Sequence, residues 1–253
     1  MAKQSGLVKI RGSVDDLTFT STKNGHVVRK KGKTVTKKDI ATRKQYVRVR
    51  ENMDEFGRAT ESAKLFRILF NGSMAYCVDK TLIPRSATLM MSVLLSDPVS
   101  DRGERTVLNG DAKLLKGFLL NSKKTFSNIC TREYTTSIDR TTGKLTFGIG
   151  SFVPANLISA DATSTHFQFY SAAAAVNYDT GEYEFKEAES VWIPNGDKNP
   201  TAVITQEHQL TPGSTVHLYL AVGIRFTQEV NGKYYPFFNA AYNSLCIADA
   251  DSV

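Results

Sequence analysis

Three chemistries are within reach of the residue types in this 253-residue chain: a Ser–His–Asp relay, a carboxylate cation site and a phosphate-binding basic run. The relay would need His26, His166, His208 or His217 beside a serine nucleophile. No G-x-S-x-G elbow marks such a serine, and no G-x-x-x-x-G-K-[ST], G-x-G-x-x-G or H-E-x-x-H is present. His166 and His217 alternate with apolar neighbours, as residues on a sheet face do. Asp97, Asp101, Glu104 and Asp111 could be arranged around a divalent cation, but their spacing is not that of an EF-hand and reads as a charged loop. Gly148 and Gly150 sit in a strand-like stretch and do not make a phosphate cradle. The chain therefore reads as a protein that is not an enzyme, with no cofactor and no metal.

The basic residues are the feature that stands above background. Residues 1–50 carry 14 Lys and Arg against three acids, whereas residues 51–253 carry 18 against 22. The overall +7 is thus a strongly basic N-terminal segment on a mildly acidic body. Its centre is Arg29, Lys30, Lys31, Lys33, Lys37, Lys38, Arg43, Lys44, Arg48 and Arg50. Such residues bind phosphates by releasing counterions, without reading bases. Tyr46 is the lone aromatic residue between positions 20 and 55, so stacking on single-stranded bases is not the evident mode. A basic arm can also lie across the acidic body of a neighbouring copy, with charge steering the encounter. A solvated linker without a partner is the third alternative.

These residues need elements to place them. Hydrophobic residues at 41% and charged residues at 23% match ordinary globular composition, which excludes wholesale disorder. No apolar run of signal-peptide length follows the N-terminus, and the most apolar window, 87–95, is too short for a bilayer, so no membrane partner is expected. Cys77, Cys130 and Cys246 form no C-x-x-C and are odd in number, so they read as buried thiols. Residues 5–31 read as a β-meander turning at Asn24-Gly25, and 30–38 as an extended linker. A helix is expected from Thr42, capped with Gln45, burying Val49, Met53, Phe56, Thr60, Ala63, Phe66 and Phe70, and stopping at Asn71-Gly72. Further helices are expected over 85–96 and 111–120.

From residue 132 the pattern is strands: 134–139 and 144–149 as a hairpin, then 167–170, 173–178, 183–186, 191–193, 202–205, 216–226, 233–238 and 241–248. Asp249 and Asp251 read as a solvated tail. The expected fold is α+β: a β-hairpin and basic arm over 1–41, a helical segment over 42–131, and an antiparallel β-sandwich, immunoglobulin-like by analogy, over 132–253. Tyr234, Tyr235, Phe237 and Phe238 flank Pro236 and point to both faces, which marks an edge strand with an apolar contact surface; a sheet buried on both faces is the alternative.

The opening Met1-Ala-Lys-Gln-Ser-Gly-Leu-Val-Lys-Ile-Arg-Gly-Ser-Val-Asp-Asp-Leu-Thr-Phe19 resembles the start of proteins found in phages and prophages of Bacteroidetes, including crAss-like phages. Residues 48–67, from Arg48 through Asn52, Phe56 and Glu61 to Arg67, resemble the same group more closely. The resemblance implies a virion structural role in capsid, head–tail connector or tail, and it carries over no catalytic residue. The expectation is a tailed-phage virion protein made in the bacterial host cytoplasm. It would contact copies of itself and other virion proteins, with packaged DNA as a further contact of the arm. The alternative is a cytoplasmic nucleic-acid-binding protein that uses the same arm.

Overall fold

The computed structural model of the chain describes residues 2–32, 35–77, 79–161 and 163–252. Contacts divide it into two units, Met1–Arg50 and Glu51–Val253, and the fold class is α+β with antiparallel sheets.

The first unit is a meander of β1 (Ala2–Lys3), β2 (Gly12–Val14), β3 (Leu17–Thr22) and β4 (Gly25–Lys30), in the order β1-β4-β3-β2. Thr22 pairs with Gly25, so the β3–β4 turn is Lys23-Asn24, one residue earlier than expected. Gly25 starts β4 at φ +109°, a conformation that side chains resist. Residues 6–10, expected as strand, form a loop. The register puts Val14, Leu17, Phe19 and Val28 on one face and Ser13, Thr18, Thr20 and Arg29 on the other.

Next comes α1 (Lys37–Thr42), capped by Thr36 and not by Thr42. Thr36 Oγ1 accepts the Asp39 N–H at 3.1 Å, and the Asp39 carboxylate accepts the Thr36 N–H at 3.0 Å, a reciprocal pair. The Thr42 hydroxyl instead donates to the Lys38 carbonyl. The expected linker over 30–38 therefore gives way to helix at Lys37. A 3-10 turn, Lys44–Tyr46, leads into α2 (Val47–Leu69).

In the second unit, α2 buries Glu55, Ala59, Ser62, Ala63, Phe66 and Leu69. The expected apolar face is thus corrected: Val49, Met53 and Phe56 are exposed, the last two by 58% and 57%. On the buried face the Phe66 ring meets Tyr219, with centroids 5.7 Å apart, while the larger side chains at 49, 53 and 56 stay in solvent. After α3 (Asn71–Met74), α4 (Leu82–Leu95) starts three residues before expectation, because Pro84 fits a helix's first turn.

The helix expected over 111–120 is a 3-10 turn, Ala112–Leu115. Residues 117–120 run instead along the last strand, where the Gly117 N–H reaches the Ile247 carbonyl at 2.8 Å and the Leu120 N–H reaches Leu245 at 2.9 Å. Sheet pairing here overrides helical periodicity.

The remaining elements are α5 (Phe126–Ile129), β5 (Tyr134–Asp139), β6 (Lys144–Ile149), α6 (Pro154–Leu157), β7 (His166–Val176), β8 (Tyr183–Glu189), β9 (Ile193–Pro194), β10 (Ile204–Gln209), β11 (His217–Val230), β12 (Lys233–Pro236) and β13 (Ser244–Asp251). One sheet is β10-β6-β5; the larger is β12-β11-β7-β8, with β13 beside β11 and β9 beside β7. The two stretches expected at 167–170 and 173–178 are the single strand β7. Asn231-Gly232 makes the β11–β12 turn with both residues at positive φ, as a type I′ turn demands.

The two sheets pack face to face in a sandwich-like pair. Phe167, Phe169, Leu220, Val222 and Ile224 face Leu145, Phe147 and Ile149 of β6. Tyr170, Ala172, Ala174, Tyr219 and Ala221 face the helices, against Ala63, Phe66, Phe70, Met90 and Leu94. The large sheet is therefore a middle layer, which is why β7 and β11 are buried on both faces. Helices and strands share the core on one face of the large sheet, within the unit Glu51–Val253. The Asp249–Asp251 tail is also corrected: it belongs to β13, with Lys116 2.8 Å from Asp249 and Arg140 2.7 Å from Asp251. Cys77, Cys130 and Cys246 are buried free thiols, as expected.

Candidate interaction site

The fold spreads the basic residues over β4, α1, the 3-10 turn and the start of α2. Arg29 and Lys30 end β4, Arg29 opposite Thr18 on the polar face and Lys30 opposite Leu17 on the apolar face. The Lys31 N–H holds the Asp16 carbonyl at 2.6 Å. Lys37 and Lys38 occupy the first turn of α1, where positive charge opposes the helix dipole. Their placement is therefore unfavourable for the helix. Asp39 offsets it, and the Thr36 N–H and hydroxyl hold its carboxyl below the usual carboxylate range. Arg43 pairs with Asp39 at 2.6 Å. Arg50 donates to the carbonyls of Ile40 at 2.6 Å and Arg43 at 3.2 Å. Those two arginines brace the chain, whereas Arg29, Lys30, Lys31, Lys37, Lys38, Lys44 and Arg48 are exposed. Lys33 lies outside the described residues.

The aromatic edge is built differently from its expectation. β12 is an edge strand, with Tyr234 and Tyr235 exposed on it and Phe238 beyond it; Phe237 is half-buried against Tyr242. Two of the four are also ends of an internal stack. Phe238 lies on Tyr76 at 5.0 Å, and Arg225 lies over the Tyr76 ring at 4.4 Å. Arg225 is 5.6 Å from Trp192, which stacks on Tyr234 at 5.6 Å. The guanidinium is nearly buried, paired with Glu189 at 2.5 Å and donating to Gln168 Oε1 at 2.8 Å. Gly223 gives this ladder its room, because a Cβ there would run into the Tyr170 ring and the Ser244 carbonyl. Sequence reading missed Arg225 as the hub. Its signal was a lone charge within the apolar run of β11.

Further polar clusters lie elsewhere. Ser171 donates to Gln206 Oε1 at 2.6 Å and lies 2.8 Å from His208 Nε2, but all three are buried between the sheets and no carboxylate bonds His208. Burial lowers the His208 pKa. His217 Nε2 bonds the Val107 carbonyl at 2.8 Å while its Nδ1 is buried without a partner, and burial lowers its pKa as well. Burial alone would raise the Asp97 carboxyl, yet the N–H groups of Thr106, Val99 and Ser100 hold it at about 2. Asp97 thus shapes its own loop, and Asp111 caps the 3-10 turn through the Lys113 N–H. Among the described residues no three His, Cys, Asp or Glu side chains converge as metal ligands, and no helix is long and apolar enough to cross a membrane.

The class these features define is an α+β protein of antiparallel sheets with a basic N-terminal unit and an aromatic sheet edge. Comparison with protein-family models, curated proteins and solved structures gives no match.

Proposed function

We propose that this chain is a structural protein of a tailed-phage virion that assembles in many copies through its N-terminal unit. One observation carries the assembly part. Among the described residues of 1–50 none is buried, although Val14 and Leu17 on the meander's apolar face are 59% and 43% exposed. Ordering each residue costs about 1–2 kcal/mol of backbone entropy, and a sheet without a buried face cannot offset that alone. A surface supplied by another chain completes the unit. The +11 of this segment and the −4 of the body favour a head-to-tail contact between copies. The virion setting is supported by the resemblance of residues 1–67 to phage and prophage proteins. Copies of itself and other virion proteins are the partners, and the host cytoplasm is where it is made.

Deleting residues 1–40 and measuring sedimentation tests this reading. Loss of the large species is expected, and assembly that survives deletion overturns it. The exposed lysines of β4 and α1 favour a second reading, cytoplasmic nucleic-acid binding by the arm. It expects DNA affinity that falls steeply with salt and with neutralisation of Lys30, Lys31, Lys33, Lys37 and Lys38. No gel shift at low salt removes it.

A further inference from the structure

We infer that a small cavity beside the strand β8 is a binding site for a primary ammonium group, carried by a free alkylamine or by a lysine of another chain. The cavity lies where α3 meets the large sheet, and its volume is about 110 Å³. That is well above the roughly 10–15 Å³ that admits one water, and it suits a short alkyl chain with a charged end. Ser73 and Tyr76 line it from α3 and the residues just after, Glu187 and Glu189 from β8, Tyr170 from β7 and Arg225 from β11. Two buried polar groups make it a built site. Ser73 is 4% exposed, and its Oγ is buried without a hydrogen-bond partner. An oxygen left in that state is costly to the fold, and a donor placed in the cavity removes the cost. Arg225 is 6% exposed, and its charge is already answered: Nη2 pairs with Glu189, and Nε donates to Gln168 Oε1.

The sign of the local charge selects the ligand. The Glu187 carboxylate has no partner among the described residues. Residues 182–189 hold four glutamates against Lys186, and residues 71–76 hold no charge. Arg225 reduces that acidic excess without reversing it. An anion entering the cavity therefore meets Glu187, and a neutral group leaves that carboxylate without a counter-charge. Among the described residues no three His, Cys, Asp or Glu side chains converge here to hold a metal ion. A primary ammonium satisfies both acceptors at once, donating to the Glu187 carboxylate and to Ser73 Oγ in charge-assisted bonds. The Tyr76 and Tyr170 rings supply apolar wall for its methylene groups. The Tyr170 hydroxyl is engaged elsewhere, donating to the Ser244 carbonyl at 3.2 Å, so it does not compete for the ligand.

The full chain tests this, with n-butylammonium chloride as the probe and sodium chloride at the same ionic strength as the control. Trp192, the chain's single tryptophan, lies 5.6 Å from the Arg225 guanidinium and reports on the cavity. A saturable change in its emission is expected, and none with n-butanol, which has the shape without the charge. Glu187→Gln, at an exposed position, should weaken the amine by about tenfold or more. Ser73→Ala should raise the urea midpoint while weakening the amine, because the orphaned oxygen is also the ligand's acceptor. No saturable response, an equal response to n-butanol, or undiminished affinity in either variant overturns the site. Sedimentation then separates the two sources of the ammonium. Self-association weakened both by n-butylammonium and by Glu187→Gln assigns the site to a lysine of another copy. Self-association indifferent to both, with binding intact, assigns it to a free amine.

Discussion

Replacing Arg225 by alanine is the sharpest test of how the aromatic edge is held. The guanidinium side chain is 7% exposed and contacts Tyr76, Tyr170 and Trp192 while pairing with Glu189. Removing the cation forfeits about 0.5–2 kcal/mol per ring, with the 4.4 Å Tyr76 contact largest. Glu189 is 45% exposed and rehydrates, so the broken pair costs only about 1 kcal/mol. Gln168 Oε1, buried, loses its donor at about 1 kcal/mol. A total loss near 4 kcal/mol is expected, and Arg225→Lys, which keeps the charge without the planar stack, should lose about half of that. Urea unfolding followed by fluorescence suits the question, because the chain's single tryptophan, Trp192, lies in the ladder. Its emission should shift before the far-ultraviolet circular dichroism changes, as the edge frays first. A loss below 1 kcal/mol for Arg225→Ala, or coincident transitions with wild-type fluorescence, would refute the ladder as the edge's support.

Four further outcomes follow from packing and titration. Gly223→Ala should cost about 1–3 kcal/mol or more, read as a lower urea midpoint, because its Cβ has no space beside Tyr170 and Ser244. Phe66→Ala should cost about 3–5 kcal/mol, whereas Phe56→Ala, on the exposed side of α2, should stay within about 0.5 kcal/mol. His208 and His217 have folded pKa values depressed by burial, so the unfolded chain binds more protons below the ordinary value of 6.5. Their contribution is complete above that pH and is lost as pH falls toward the folded values; the urea midpoint should drop between pH 7 and 5, and less so in a His208→Gln, His217→Gln double variant. Self-association should weaken as salt rises from 50 to 500 mM, measured by sedimentation, and a salt-independent constant would exclude charge steering by the arm.

The fold class, the hairpins and most strands were legible because their signals are local: alternation of period two, and Asn-Gly where φ must be positive. The helix faces and ends were less so. α2 carries a stripe of Val49, Met53 and Phe56 that reads as core, yet the face it buries is Glu55, Ala59, Ser62, Ala63, Phe66 and Leu69. Residues 111–120 have helical spacing, but β13 offered an unpaired edge and captured 117–120 by backbone hydrogen bonds. The exposed basic run and aromatic edge were visible as composition, while Arg225 could be seen as a hub only once distant strands and loops converged on it.

The charge split and the absence of catalytic motifs are properties of residue type and order, so the sequence by itself determined them. Which face of each element meets another depends on contacts between residues far apart in the chain, and such contacts leave no local pattern. Tertiary structure alone therefore decided that the helices and the smaller sheet cover opposite faces of one middle layer. It also decided that the first fifty residues keep an apolar face with nothing of their own to bury it.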